Sequence, residues 1–144
     1  MPNQPIAHPI FWPVIAMVLI TAITWLRLFT ERIGELRSRR ISPQKIASRR
    51  TAAEILQDTR SADHFTNLFE APVLFYVLCI ILALIHLEPP VFVAGAWAYV
   101  ALRTLHAAIH LSYNRVLHRF MAYVASSVVL FALWALFAWH LAQA

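Results

Sequence analysis

The sequence predicts an all-α integral membrane protein, a four-transmembrane-helix bundle, from its composition and from four long apolar stretches. Hydrophobic residues fill 60% of the 144 positions, charged residues fill only 13%, and the mean hydropathy is +0.63. A soluble domain of this length needs far fewer apolar residues. Each stretch approaches or exceeds the ~20 helical residues that cross a bilayer. The predicted spans of this single domain, residues 1–144, are residues 10–29, 69–87, 90–113 and 120–141.

The first span has no basic residue before it and no small-residue cleavage site after it, unlike a removable signal peptide. We therefore expect residues 10–29 to remain as a membrane anchor. The chain has one cysteine, Cys79, inside an apolar run, which excludes an internal disulfide framework and indicates a packing role.

The basic residues predict the topology. Eight of the twelve lie in one loop, residues 30–62, and two more, Arg115 and Arg119, lie between the third and fourth spans. The link between the middle spans, Glu88-Pro89-Pro90, has none. Cytoplasmic loops are enriched in Lys and Arg, so we expect both basic loops in the cytoplasm and both termini on the other side. Membrane lipid, rather than nucleic acid, explains the net charge of +5.

Polar residues form a stripe at the start of the second span. Asp63, Asn67 and Glu70 are spaced i, i+4, i+7, so a helix projects them from one face. A carboxylate facing hydrocarbon is costly, and this face is expected to point into the protein or a subunit contact. Pro72 follows where it removes a backbone hydrogen bond and can kink the helix.

The third span carries a similar stripe, Arg103, His106 and His110. A buried Arg needs an anion, so one interpretation is a Glu70–Arg103 ion pair that only fixes helix packing. His106 and His110, at i and i+4, could also bind a metal. Because no third ligand or metalloprotease glutamate accompanies them, we predict no metal site.

The fourth span opens with Arg119, Tyr123, Ser126 and Ser127, which lie close to one helix face. Taken alone, Arg119 can snorkel to the headgroups and Tyr123 can be an interfacial anchor. Three helices nevertheless bring polar stripes to the cytoplasmic half of the membrane. A shared site at that depth is the economical explanation.

Two local patterns resemble those of the MAPEG superfamily, the membrane-associated proteins of eicosanoid and glutathione metabolism. The chain looks like a divergent bacterial-type member of that superfamily. One pattern is Asn67-x-x-Glu70 with a following proline, and the other is Arg103-x-x-His106 followed by Arg119-x-x-x-Tyr123. With the four spans and the basic loop, the resemblance covers most of the chain.

The resemblance implies a homotrimer in a bacterial inner membrane, with glutathione as co-substrate bound in a U shape between subunits. Arg119 is implied as the catalytic residue that stabilises the glutathione thiolate for attack on an apolar electrophile, by transferase or peroxidase chemistry. The residues expected to contact glutathione are Asn67, Glu70, Arg103, His106, His110 and Tyr123.

The sequence departs from the family pattern at two positions. Asp63 stands where glutathione-using members carry Arg, and Arg60, one turn earlier, can compensate only partly. His110 stands where well-studied members often have Tyr. The alternative interpretation is therefore a non-catalytic bundle that acts as an assembly or lipid-binding protein. A small transporter has less support, because no inverted repeat is visible.

Overall fold

The computed structural model describes residues 8–143, apart from the side chain of Arg49, and folds them into six α-helices and one short 3-10 helix. The α-helices are α1 Phe11–Ser38, α2 Arg49–Ile55, α3 Arg60–Asn67, α4 Ala71–Leu84, α5 Pro90–Leu111 and α6 Val116–Ala142, and the 3-10 helix is Pro43–Ile46. Four segments are long and apolar enough to cross a membrane, namely α1, α3 with α4, α5 and α6. The predicted all-helical, four-span architecture is therefore present.

Helix α1 continues past the predicted span end at Phe29 into the basic segment. Two ion pairs at i, i+4 spacing, Arg27–Glu31 and Glu35–Arg39, lie along this extension and favour helix. Glu31 also accepts a hydrogen bond from Ser61, and Glu35 accepts one from the backbone N–H of Gln57 at 2.8 Å. Through these contacts, Gln57 and Ser61 pack against α1. Part of the predicted loop is therefore helical.

The second span begins earlier than the predicted range of residues 69 to 87, because α3 precedes α4 and a break separates the two helices. Helix α3 ends at Asn67 and α4 begins at Ala71, with Pro72 in its first turn. Proline lacks the N–H that would continue the hydrogen-bond ladder, and it is tolerated in a first turn because that donor has no partner there. The break leaves the Asn67 carbonyl available to another helix.

The helices alternate in direction. The Ile10 N–H donates to Glu88 at 3.2 Å, and the rings of Phe92 and His140 lie 5.8 Å apart, so these four residues share one end of the bundle. At the other end, Arg60 donates to the carbonyl of Ser112 at 2.8 Å. The basic segments and the α5–α6 turn therefore share one end, as the charge pattern predicts.

The core lies mainly between α4, α5 and α6. Phe75 and Tyr99 are both fully buried, and their rings stack at 4.7 Å. Gly95 permits the close approach of α5 and α6, because a Cβ there would lie only 2.5 Å from Leu133 Cδ2. Most outward-facing side chains of α1 are large and apolar, as a lipid environment requires.

The two glycines give a matched test of this packing. Gly34 is exposed on α1 with nothing near its would-be Cβ, so Gly34→Ala should raise stability by about 0.5–1 kcal/mol. Gly95→Ala should instead lower it by about 1–3 kcal/mol, because Leu133 must shift. Thermal unfolding midpoints in detergent measure both. An equal rise in the two variants would show that α5 and α6 do not pack this closely.

Candidate functional site

A cleft of about 410 Å³ opens where the α3–α4 break, the end of α5 and the start of α6 meet. It lies at the end of the bundle that carries the basic segments. Six residues singled out from the sequence, together with Asp63, line it alongside two apolar side chains. The lining residues are Asp63, Asn67, Glu70, His106, His110, Val116, Arg119, Phe120 and Tyr123.

Arg103 lies behind the cleft and is held by the helix break. Its side chain is 0% exposed, and its Nη2 donates to Asn67 twice, to the side-chain Oδ1 at 2.7 Å and to the backbone carbonyl at 3.2 Å. The Asn67 amide nitrogen in turn donates to Glu70 Oε2 at 2.9 Å. Asn67 therefore links the guanidinium to the carboxylate.

The direct Glu70–Arg103 ion pair considered from the sequence is not formed among the described residues. Arg103 Nε and Nη1 are buried and have no hydrogen-bond partner in the described part of the chain. Its guanidinium carbon lies 5.9 Å from the ring centre of Tyr123, which lines the cleft. Arg103 thus keeps unused donors next to the cleft.

Arg119 lies inside the cleft and makes two contacts at the end of α5. Its Nη1 donates to Asn114 Oδ1 at 3.0 Å and to His110 Nε2 at 2.9 Å. Its backbone carbonyl accepts from His106 Nδ1 at 3.0 Å. Because guanidinium only donates and carbonyl only accepts, neutral His110 carries its proton on Nδ1 and His106 carries its proton on Nδ1.

Asn114 has a role that the sequence analysis missed. It adopts a left-handed backbone conformation, φ 48°, which asparagine tolerates better than most residues. Its N–H bonds the Ile109 carbonyl at 2.8 Å and closes the end of α5. The sequence does indicate this helix end, since an Asn just after a long apolar stretch is a common helix terminator.

His64 was also missed, because it lies off the face that carries Asp63 and Asn67. It is 0% exposed, and its ring packs 5.4 Å from that of His106 and 5.1 Å from that of His110. Only the docking of α3 against α5 brings these rings together. Sequence spacing contains no sign of this contact.

The mouth of the cleft is acidic. Asp63 is exposed and accepts from the Thr59 hydroxyl at 3.0 Å. Arg60 is engaged by Asp58 and the Ser112 carbonyl, and it does not line the cleft. Its guanidinium lowers the pKa of Asp58 to about 2. Arg60 therefore does not offset the charge of Asp63 at the cleft wall.

Ser126 and Ser127 do not join the site. Both hydroxyls donate to the backbone carbonyl of Tyr123, at 2.8 and 3.0 Å, and so bond within their own helix. The cleft is built from the other polar residues of the three spans.

Comparison with known families assigns the chain. The MAPEG family model matches residues 10–139, which reach into all four spans and include every cleft residue. The protein belongs to the MAPEG family. It is accordingly a multi-pass integral membrane protein of a family associated with membrane glutathione transferase and peroxidase chemistry. No curated protein and no solved structure gives a significant match.

The link through Asn67 can be tested by stability. Asn67→Ala should cost about 1.5–3 kcal/mol, because it removes a hydrogen bond to a buried charged group. Glu70→Gln should change stability little, since the amide oxygen still accepts from Asn67. Thermal unfolding in detergent provides the comparison. If Glu70→Gln were the more damaging change, the carboxylate charge rather than the amide would be what stabilises Arg103.

Proposed function

We propose that this MAPEG protein is a glutathione-dependent membrane enzyme in which Arg119 stabilises the glutathione thiolate. The observation that carries the proposal is the guanidinium of Arg119 in a cleft that also contains Asn67, Glu70 and Tyr123. Asn67 and Glu70 come from the second span and Arg119 and Tyr123 from the fourth, and each matches the family pattern. The proposed domain is the whole chain, residues 1–144, of which the structure describes residues 8–143.

The chemistry follows from the charge of Arg119. A free thiol has a pKa of about 8.5, and the thiolate is the nucleophile. A neighbouring guanidinium favours the anion, and the attraction is stronger in a partly dry site than in water. Arg119 is restrained by Asn114 and His110, so its orientation is set before a ligand arrives. Such preorganisation reduces the cost of binding an anion.

Two reactions use the same thiolate. In conjugation, sulfur forms a bond to an electrophilic carbon, and the leaving group departs with its electron pair. In peroxide reduction, sulfur attacks one oxygen, the O–O bond breaks and an alcohol leaves. A second glutathione then displaces water from the resulting sulfenic acid to give the disulfide. Transferase and peroxidase activity are both compatible with this site.

The remaining cleft residues suit the rest of the tripeptide. Glu70 can accept from the glutathione amino group. Arg103 is fully buried behind the cleft, so its unpartnered donors would reach a carboxylate or amide oxygen only after side chains between them and the cleft moved. Asn67, His106, His110 and Tyr123 complete the proposed glutathione contacts. The fit is therefore direct for the amino end of glutathione, whereas its carboxylates meet Asp63 in the cleft wall.

An apolar electrophile can reach the cleft from the bilayer. Val116 and Phe120 line it and are 67% and 60% exposed, on the same helix as Arg119. These side chains also suit a subunit contact. We propose a homotrimer with glutathione between neighbouring subunits, in a bacterial inner membrane with both termini on the non-cytoplasmic side.

Asp63 favours a second candidate function, a non-catalytic assembly or lipid-binding protein. Its carboxylate lies in the cleft wall, where it repels the carboxylates of glutathione. The catalytic proposal ranks first because Arg119 and Tyr123 are both present in the same cleft.

The ultraviolet thiolate difference signal of bound glutathione tests the catalytic proposal. At neutral pH the wild-type protein should give a saturable signal, and Arg119→Ala should reduce it by ~10-fold or more, because the guanidinium no longer favours the anion. Arg115→Ala removes an exposed arginine of the same turn that does not line the cleft, and it should leave the signal intact. Equal signals in all three proteins would reject a role for Arg119 in activation.

Asp63 can be tested by reversing its charge. Asp63→Arg should tighten glutathione binding by ~10-fold, since it replaces repulsion of the carboxylates by attraction. Glu54→Arg makes the same charge change at an exposed position on α2, outside the cleft, and should have little effect. Calorimetric titration in detergent measures both. Unchanged affinity in Asp63→Arg would favour the non-catalytic candidate.

A further inference from the structure

Three buried histidines form a cluster at the wall of the cleft, where two of them line it. His64 comes from α3, whereas His106 and His110 come from α5, and their side chains are 0%, 3% and 4% exposed. Each offers a ring nitrogen, and these nitrogens all lie within 4.8 Å of one another. The sequence spacing of His106 and His110 indicates no third ligand, and the fold supplies one as His64.

Four of the six ring nitrogens of the cluster lack hydrogen-bond partners among the residues that the structure describes. Both ring nitrogens of His64, Nε2 of His106 and Nδ1 of His110 are buried without a hydrogen bond to any described residue. An unsatisfied buried polar group typically costs ~1–3 kcal/mol. Four such atoms in one cluster are unusual, because buried polar groups are normally satisfied. A metal ion bound through one nitrogen of each ring would give three of them a partner.

We propose that His64, His106 and His110 bind a divalent transition-metal ion, with Zn²⁺ the best match. Neutral imidazole nitrogens are ordinary zinc ligands, at distances of ~2.0–2.1 Å. Tetrahedral ligation would bring the three nitrogens to within ~3.3 Å of one another, so the side chains must rotate inward slightly. This site does not depend on the proposed glutathione chemistry.

His106 already has the tautomer of a metal ligand. Its Nδ1–H donates to the Arg119 carbonyl at 3.0 Å, which leaves the buried Nε2 lone pair without a partner in the described part of the chain. Metal-binding histidines commonly use the opposite nitrogen in this way, because the hydrogen bond fixes the tautomer and the ring orientation.

His110 must change its tautomer to bind the metal through Nδ1. Its proton moves from Nδ1 to Nε2, no proton is released from the ring, and the hydrogen bond from Arg119 to Nε2 is broken. Arg119 retains Asn114 as a partner. Metal binding therefore releases one donor of Arg119 toward the cleft.

The charges around the histidine cluster affect its affinity for a metal ion. Arg103 and Arg119 oppose a dication, while Asp63 and Glu70 at the cleft partly offset them. We expect weaker binding than at a thiolate-rich zinc site. Because His106 and His110 line the cleft, a fourth coordination position faces it and can hold water or a thiolate.

The test uses tag-free, chelator-treated protein without glutathione. Co²⁺ titration followed by visible absorption, and Zn²⁺ content after dialysis, should both saturate near one ion per chain in the wild type. His64→Phe should abolish this binding. His118→Gln, which changes a histidine outside the cluster, should retain it. Wild type that binds no more metal than His64→Phe would overturn the proposal.

Thermal unfolding shows whether His64→Phe loses metal binding simply because it fails to fold. His64→Phe keeps an aromatic ring and removes two unpartnered nitrogens, so it should be at least as stable as metal-free wild type. Zn²⁺ should raise the unfolding midpoint of wild type and leave that of His64→Phe unchanged. If His64→Phe does not fold, His110→Tyr replaces it as the variant that must lose the metal. Metal binding retained in the folded variant would contradict the proposal.

Discussion

The buried guanidinium of Arg103 is the constraint on which the rest of the site depends. A fully enclosed cation in a membrane-spanning helix needs oxygen acceptors, and the nearest come from the break between α3 and α4. Pro72 in the first turn of α4 marks that break, which makes the Asn67 carbonyl available. The irregular backbone of the second span is therefore part of the site, since it supplies the acceptors for Arg103.

A second set of contacts fixes the opposite wall. Asn114 ends α5 in a left-handed conformation and presents its amide oxygen to Arg119, while His106 binds the backbone carbonyl of Arg119. The His110 ring accepts a further hydrogen bond from Arg119. The side chain and main chain of Arg119 are thus held by Asn114, His106 and His110. The resulting arrangement exposes a restrained cation in the cleft, where an anion gains most from it.

The sequence allowed the spans and most of the cleft to be predicted, because apolar length and polar stripes are local signals. Asn67, Glu70, His106, His110, Arg119 and Tyr123 lie together as the shared-site hypothesis requires. The Asn67 link between Arg103 and Glu70 could not be predicted, since it depends on where the helix breaks. His64 was inaccessible for a related reason, because only tertiary packing brings it to α5.

The central claim is that this cleft binds glutathione, and equilibrium dialysis of radiolabelled glutathione against the protein in lipid nanodiscs tests it most directly. We expect saturable binding of the radiolabelled glutathione that unlabelled glutathione displaces. Binding no greater than to empty nanodiscs, with the protein folded by thermal unfolding, would contradict it.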